Sequence, residues 1–204
     1  MVEAQLAERG IQDPCILDVM RKIPRERFLP SAIAHQAYQD RALPVELGQT
    51  ISQPYIVGCM TQALQLKPHH RVLEVGTGTG YQTAILAHLA KTVYSVERFD
   101  ELSQSAQSRL RFLGLGNVVC KTGDGTRGWP EHAPYDRIIV TAAAPRIIQD
   151  LVDQLDEGGL LVMPVGGEGT QRLTTIERHA EKVVERPSIA VRFVKLIGEG
   201  GFQN

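Results

Sequence analysis

The chain has 204 residues, which fits one domain with at most a small appendage, and 43 % of them are hydrophobic, enough for a sizeable core. Its 22 basic and 23 acidic residues leave a net charge of −1, without the basic excess of a protein that grips nucleic acid through phosphates. Cys15, Cys59 and Cys120 form no C-x-x-C pair, no apolar run approaches the roughly 18 residues of a membrane span, and residues 1–9 lack signal-peptide character; a soluble cytoplasmic protein without zinc or disulfides is expected.

The first 45 residues read as helices. Leu6, Ile11, Ile16, Leu17, Met20 and Ile23 recur at near-helical spacing and Pro24 closes the stretch. Arg25–Pro30 reads as a connector, and Ser31 is placed to cap the next helix. Residues 40–54, punctuated by Pro44, Gly48 and Pro54, read as irregular, and such a segment ahead of a core is more often functional than idle. A helix from Tyr55 stops at Pro68.

Strand and helix then alternate. Strands are predicted at Arg71–Val75, Thr92–Val96, Val118–Lys121, Tyr135–Thr141 and Leu160–Pro164, with helices at Tyr81–Leu89, Leu102–Leu113 and Ile147–Leu155. Short, continuously apolar strands of this kind are covered by helices on both faces, and right-handed crossovers make the fold class α/β, a doubly wound, Rossmann-like parallel sheet. Two closing strands, around Gln171–Arg178 and Ile189–Ile197, are expected to pair antiparallel at one edge. Residues 1–54 are read as N-terminal helices with an active-site loop and 55–204 as the core, together one compact unit.

The most telling run is Val72-Leu-Glu-Val-Gly-Thr-Gly-Thr-Gly-Tyr81, a strand entering three glycines spaced two apart, with the acid Glu97 ending the next strand. Glycines let the backbone approach a ligand, and a carboxylate at that place accepts from ribose hydroxyls. A dinucleotide fingerprint needs glycine where Tyr81 or Thr83 stands, so the pattern suits a nucleoside without a pyrophosphate, S-adenosylmethionine first of all. A plain structural turn is the alternative.

Gly123-Asp124-Gly125 follows the third strand, where Asp124 either accepts from an adenine amino group or makes an Asp-Gly turn. Val140–Pro145 lacks the Asn/Asp-Pro-Pro-Tyr/Phe motif that accepts a target amine, which counts against amine methylation. None of the six histidines has a base-and-orienter partner. Ser52 lies in no nucleophile elbow; Thr50 and Ser52 suit hydrogen bonding, and Ser52 alternatively caps the helix at Tyr55.

Taken together, Gly48-Gln-Thr-Ile-Ser-Gln-Pro-Tyr-Ile-Val57, the 72–86 run, Tyr94-Ser-Val-Glu-Arg98, Gly123-Asp-Gly125, Tyr135–Ala143, Leu155-Asp-Glu-Gly-Gly159 and Val191-Arg-Phe-Val194 resemble the bacterial-type protein-L-isoaspartate (D-aspartate) O-methyltransferases over nearly the whole length. The resemblance implies a class I methyltransferase sheet and methyl transfer from S-adenosylmethionine to the α-carboxylate of L-isoaspartyl residues in damaged proteins. It implies Ser52 as the active-site residue. Gln49, Thr50, Ile51, Gly76, Thr77, Gly78, Gly80, Glu97, Arg98, Asp124, Gly125 and Thr141 would hold the cofactor, and Thr50, Ser52, Val191, Phe193 and Val194 the substrate. No metal, no nucleic-acid or membrane partner, and a monomer are expected. Lys195, where related chains commonly have proline, and the ending at residues 201–204 depart from the pattern on the substrate side. Methylation of RNA or a small molecule on the same core, and a non-catalytic binding module, are the competing readings.

Overall fold

A computed structural model describes residues 1–180 and 182–203. The elements in chain order are α1 (Pro14–Lys22), β1 (Leu43–Pro44), β2 (Thr50–Ile51), α2 (Pro54–Ala63), β3 (Arg71–Val75), α3 (Tyr81–Leu89), β4 (Thr92–Glu97), α4 (Asp100–Phe112), β5 (Val118–Thr122), β6 (Tyr135–Val140), α5 (Gln149–Asp153), β7 (Leu155–Val165), β8 (Gln171–His179) and β9 (Lys182–Val191). Seven strands form one sheet in the order β5-β4-β3-β6-β7-β8-β9; the first five are mutually parallel, and β8 and β9 run antiparallel at the edge.

The chain winds outward from β3 through β4 to β5, then returns to lay β6 on the other side of β3. The carboxyl ends of β3 and β6 therefore diverge, which opens the crevice where α/β sheets bind ligands. The central strands bury both faces: Val72, Leu73 and Val75 of β3 and Ile138, Ile139 and Val140 of β6 are at most 1 % exposed. This explains their continuous apolar runs. Three apolar clusters fill the layers, and one of them joins N-terminal residues such as Leu6, Ile16, Met20 and Phe28 to Tyr81, Ala84 and Ile85 of α3.

The N-terminal region is less helical than its spacing suggests. Only α1 is a sustained helix, capped by Asp13, whose Oδ1 accepts from the Cys15 amide at 2.8 Å, with Pro14 in the first turn. The rest is short turns, and the turn at Ser31–Gln36 starts from Pro30 without a side-chain cap. Residues 40–54 contain a small hairpin, with Leu43 opposite Ile51 and Pro44 opposite Thr50.

The closing strand lies earlier than Ile189–Ile197. β9 pairs with β8 from His179–Lys182 to Gln171–Val191. Its residues are mostly exposed, so no buried face imposes an alternation to read. After Val191 the chain turns inward instead: the Phe193 amide donates to Gln171 Oε1 at 2.9 Å, and the Leu196 amide donates to the Ala143 carbonyl, just beyond the end of β6. Among the described residues, no helix is long and apolar enough to cross a membrane.

Candidate active site

Three spaces meet above the carboxyl ends of β3, β4 and β6. The first, about 440 Å³, is lined by Thr50, Ile51, Ser52, Val57, Met60, Gly76, Thr77, Gly78, Thr79, Tyr81, Gln82 and Thr141. The second, about 550 Å³, adds Gln49, Glu97, Arg98, Phe99, Gly125, Val194 and Leu196 to Thr50, Gly76, Gly78 and Thr141. The third, about 890 Å³, is a groove between the hairpin and the end of β9, lined by Ala42, Thr50, Ser52, Gln53, Ile56, Thr170, Val191, Arg192 and Phe193. Thr50 borders all three, and Ser52 borders the first and the groove.

The glycine loop owes its residues to geometry. Gly76 has φ +96°, and a Cβ there would stand 2.3 Å from Thr141 Oγ1. That hydroxyl instead donates to the Gly76 carbonyl at 2.7 Å and ties the loop to the end of β6. Gly78 has open space where its Cβ would be, so the backbone itself forms the floor of two of the spaces. Gly80, at φ +89°, begins α3 against Ala106 rather than lining a space.

Glu97 ends β4 nearly buried, its Oε2 accepting from the Gly78 amide at 2.8 Å and its Oε1 from the Phe99 amide at 3.1 Å. Each carboxylate oxygen has room for a second donor, so the acid can receive ribose hydroxyls while holding the loop. Thr77 faces the first space and shares a 2.6 Å bond with Ser95 Oγ. Ser95 and Thr83 both donate at 2.5 Å to Oε2 of the fully buried Glu74, whose Oε1 has no partner among the described residues. Burial pushes the Glu74 carboxyl up to about 8.

Asp124 makes the Asp-Gly turn that the sequence offered as one of its two readings. Its side chain caps its own turn, Oδ1 accepting from the Thr126 amide at 2.8 Å and hydroxyl at 2.7 Å, while Oδ2 accepts from the Glu199 amide at 3.0 Å. Burial acts to raise this acid, but the Glu199 amide, the Thr126 hydroxyl and amide and the Arg127 charge outweigh it and hold Asp124 below the usual carboxylate range. Residues 198–201 are thereby fastened beside the second space, with the Gly200 amide also donating to Thr126 Oγ1 at 3.1 Å. Gly125 does line the second space, and a Cβ there would stand 2.4 Å from Val75. Val194 also borders the second space rather than the groove. Lys195 likewise borders the second space rather than the groove, and bridges to exposed Glu168 at 2.6 Å.

Ser52 does not cap α2. The cap position is Gln53, with Pro54 following, and the Ser52 carbonyl accepts from buried Arg25 Nη2 at 2.7 Å. Sequence reasoning missed Tyr81 and Gln82 on the wall of the first space; their position directly after the glycine loop was the available signal. Among the described residues, no histidine lines any of the three spaces.

Comparison with known proteins agrees with this geometry. The family described as "Protein-L-isoaspartate(D-aspartate) O-methyltransferase (PCMT)" matches residues 1–201. A protein-L-isoaspartate O-methyltransferase of Sodalis glossinidius is 54 % identical over 194 residues, covering 95 % of this chain and 93 % of the relative. One from Syntrophobacter fumaroxidans is 49 % identical over 203 residues, covering 100 % and 95 %. Among solved structures, a protein-L-isoaspartate O-methyltransferase superposes with a TM-score of 0.86 at 30 % identity, covering 98 % of this chain and 67 % of the other. A Plasmodium falciparum protein crystallised with S-adenosyl-L-homocysteine gives 0.82 at 24 % identity over 96 % of each chain, which speaks for the fold alone. With a glycine loop, an acid at the end of β4 and a Thr-Ile-Ser hairpin converging on one crevice, and a family match spanning nearly every residue, the chain belongs to the protein-L-isoaspartate (D-aspartate) O-methyltransferase family.

Proposed function

We propose that this chain moves a methyl group from S-adenosylmethionine to the α-carboxylate of L-isoaspartyl residues, and that Thr50 and Ser52 stand at the junction where the two meet. The observation that carries the reading is that Thr50 borders all three spaces. The first two share Gly76, Gly78 and Thr141 and suit an elongated ligand with an adenosine end and an amino-acid end. The groove suits an extended peptide.

S-adenosylmethionine supplies, when bound, a methyl activated on a sulfonium. The chain's residues fit it: the Cβ-free floor at Gly78 admits close approach, Glu97 holds spare acceptor capacity for ribose hydroxyls, and Thr77 and the loop amides line the amino-acid end. Gln49, Arg98, Gly125 and Thr141 complete the nucleoside side, while Asp124 supports it indirectly by fastening residues 198–201.

An α-carboxyl group has a reference pKa of about 3.3–3.7, so the acceptor is ionised at pH 7 and no general base is required. This accounts for a site without histidine. What the chain must supply is alignment, worth about 7–11 kcal/mol when two reactants are held in line. Ser52, shared between the first space and the groove, orients the carboxylate; Val191 and Phe193 offer backbone and apolar surface to the peptide, and Val194 closes the cofactor side. Three free cysteines support a reducing compartment such as the cytoplasm.

Ser52→Ala tests the assignment. Turnover on an isoaspartyl peptide is expected to fall at least about tenfold, the loss of one transition-state hydrogen bond, with cofactor affinity within about threefold of the parent. A cofactor dissociation constant that rises in proportion to the lost activity would remove the orienting role.

A further inference from the structure

Arg25 is the most buried cation in an otherwise apolar layer. It is 0 % exposed, and among the described residues it forms no ion pair. Its Nε donates to the Ala37 carbonyl and its Nη2 to the Ser52 carbonyl, both at 2.7 Å, while Nη1 has no partner among those residues. The guanidinium lies over the Tyr81 ring, 4.7 Å from its centroid, and interacts favourably with the buried Tyr81 side chain. Tyr81 is itself a wall of the first space. Burial lowers the Arg25 pKa from its ordinary value, yet a guanidinium remains protonated in proteins.

A buried charge without a counter-ion is costly, and two carbonyls with one aromatic face compensate it only in part. A fold whose sole need was to tie residue 37 to residue 52 would be served by a neutral donor. The charge is held against the backbone of Ser52, whose residue borders both the first space and the groove.

We propose that Arg25 is a positioning residue of this site: it fixes the Ser52 turn through the Ser52 carbonyl, and its uncompensated charge selects an ionised carboxylate as the methyl acceptor. This rests on the isoaspartyl reading above. At an effective dielectric constant near 20, such a charge is expected to be worth roughly tenfold in the affinity for a carboxylate acceptor.

The test uses two competing peptides that differ only at the isoaspartyl α-position, carboxylate against carboxamide, titrated into enzyme loaded with S-adenosylhomocysteine. Wild type binds the carboxylate more tightly. Arg25→Gln is expected to lower that preference about tenfold while S-adenosylhomocysteine affinity stays within about threefold. Arg25→Lys restores the charge and is expected to keep the preference within about threefold of wild type, but to lose turnover, because one ammonium cannot hold both carbonyls in the fork geometry. An unchanged preference in Arg25→Gln, or equal weakening of both peptides and the cofactor product, would overturn the proposal and leave Arg25 a packing residue. Should Arg25→Gln not fold, a folded Arg25→Lys enzyme whose carboxylate preference has collapsed refutes the charge role, and one that keeps it supports the role. Wild type binding S-adenosylhomocysteine but showing no preference between the peptides would instead sink the isoaspartyl reading, and this proposal with it.

Discussion

Glu74→Gln should change how stability depends on pH. Glu74 sits inside β3 with no exposure, two hydroxyls donating to one oxygen and the other unpartnered, and Glu97 adding a like charge. Desolvation raises its carboxyl from 4.5 to about 8 in the fold. Because the folded state holds this proton more tightly than the unfolded chain, the folded state binds more protons throughout that window. Stability from this group is therefore fully present below the unfolded value and is lost as pH rises towards the folded one. The slope is at most about 1.4 kcal/mol per pH unit, and full burial leaves no solvent screening to discount, so wild type loses roughly 3 kcal/mol between about pH 5 and pH 7 from Glu74 alone. The amide introduced by the substitution cannot titrate, and every other ionisable group is common to both proteins. Urea unfolding at about pH 5, 6, 7 and 8 gives the difference, wild type minus variant, in which shared terms cancel. That difference should fall steadily across the range, whatever its absolute level. A difference independent of pH would refute the argument that Glu74 is held neutral by the fold.

Two further substitutions probe the crevice. Gly76→Ala places a methyl 2.3 Å from Thr141 Oγ1 at φ +96°, and should cost about 1–3 kcal/mol in unfolding free energy and at least about tenfold in S-adenosylhomocysteine affinity by calorimetry; parent-like values in both would show that the loop tolerates a side chain. Asp124→Ala removes the acceptor of the Glu199 and Thr126 amides, and hydrogen exchange at Glu199 and Gly200 should accelerate by an amount equivalent to roughly 1–3 kcal/mol; unchanged exchange would mean that residues 198–201 are held by something else.

The central sheet was plain in the sequence because its strands are buried on both faces and need no pattern finer than a short apolar run. β3 through β6 lie where Arg71–Val75, Thr92–Val96, Val118–Lys121 and Tyr135–Thr141 were expected, within a residue. The edge was less legible. β9 is exposed on most of its length, so packing imposes no alternation on it, and the apolar residues after Val191 serve the crevice rather than a strand. The hairpin of β1 and β2 has two residues a side, too few for any periodicity, although it is what carries Thr50 into the site. Ser52 looked like a helix cap because Pro54 and a helix follow; only tertiary structure shows its carbonyl held by Arg25. Arg25 itself stands in a segment that reads only as a connector, and nothing local marks it as buried. Asp124 does make the local turn that its Asp-Gly pair suggested, while its second partner, Glu199, comes from far along the chain.

The central claim is that the acceptor is an isoaspartyl α-carboxylate. Transfer of a labelled methyl from S-adenosylmethionine to a pair of peptides, identical except for isoaspartate or aspartate at one position, tests it most directly. Base-labile label should appear on the isoaspartyl peptide at least about a hundredfold faster than on its aspartyl twin, the discrimination that buried polar groups confer when a misplaced partner leaves them unpaired. Equal labelling of the two peptides, or none of either, would contradict it.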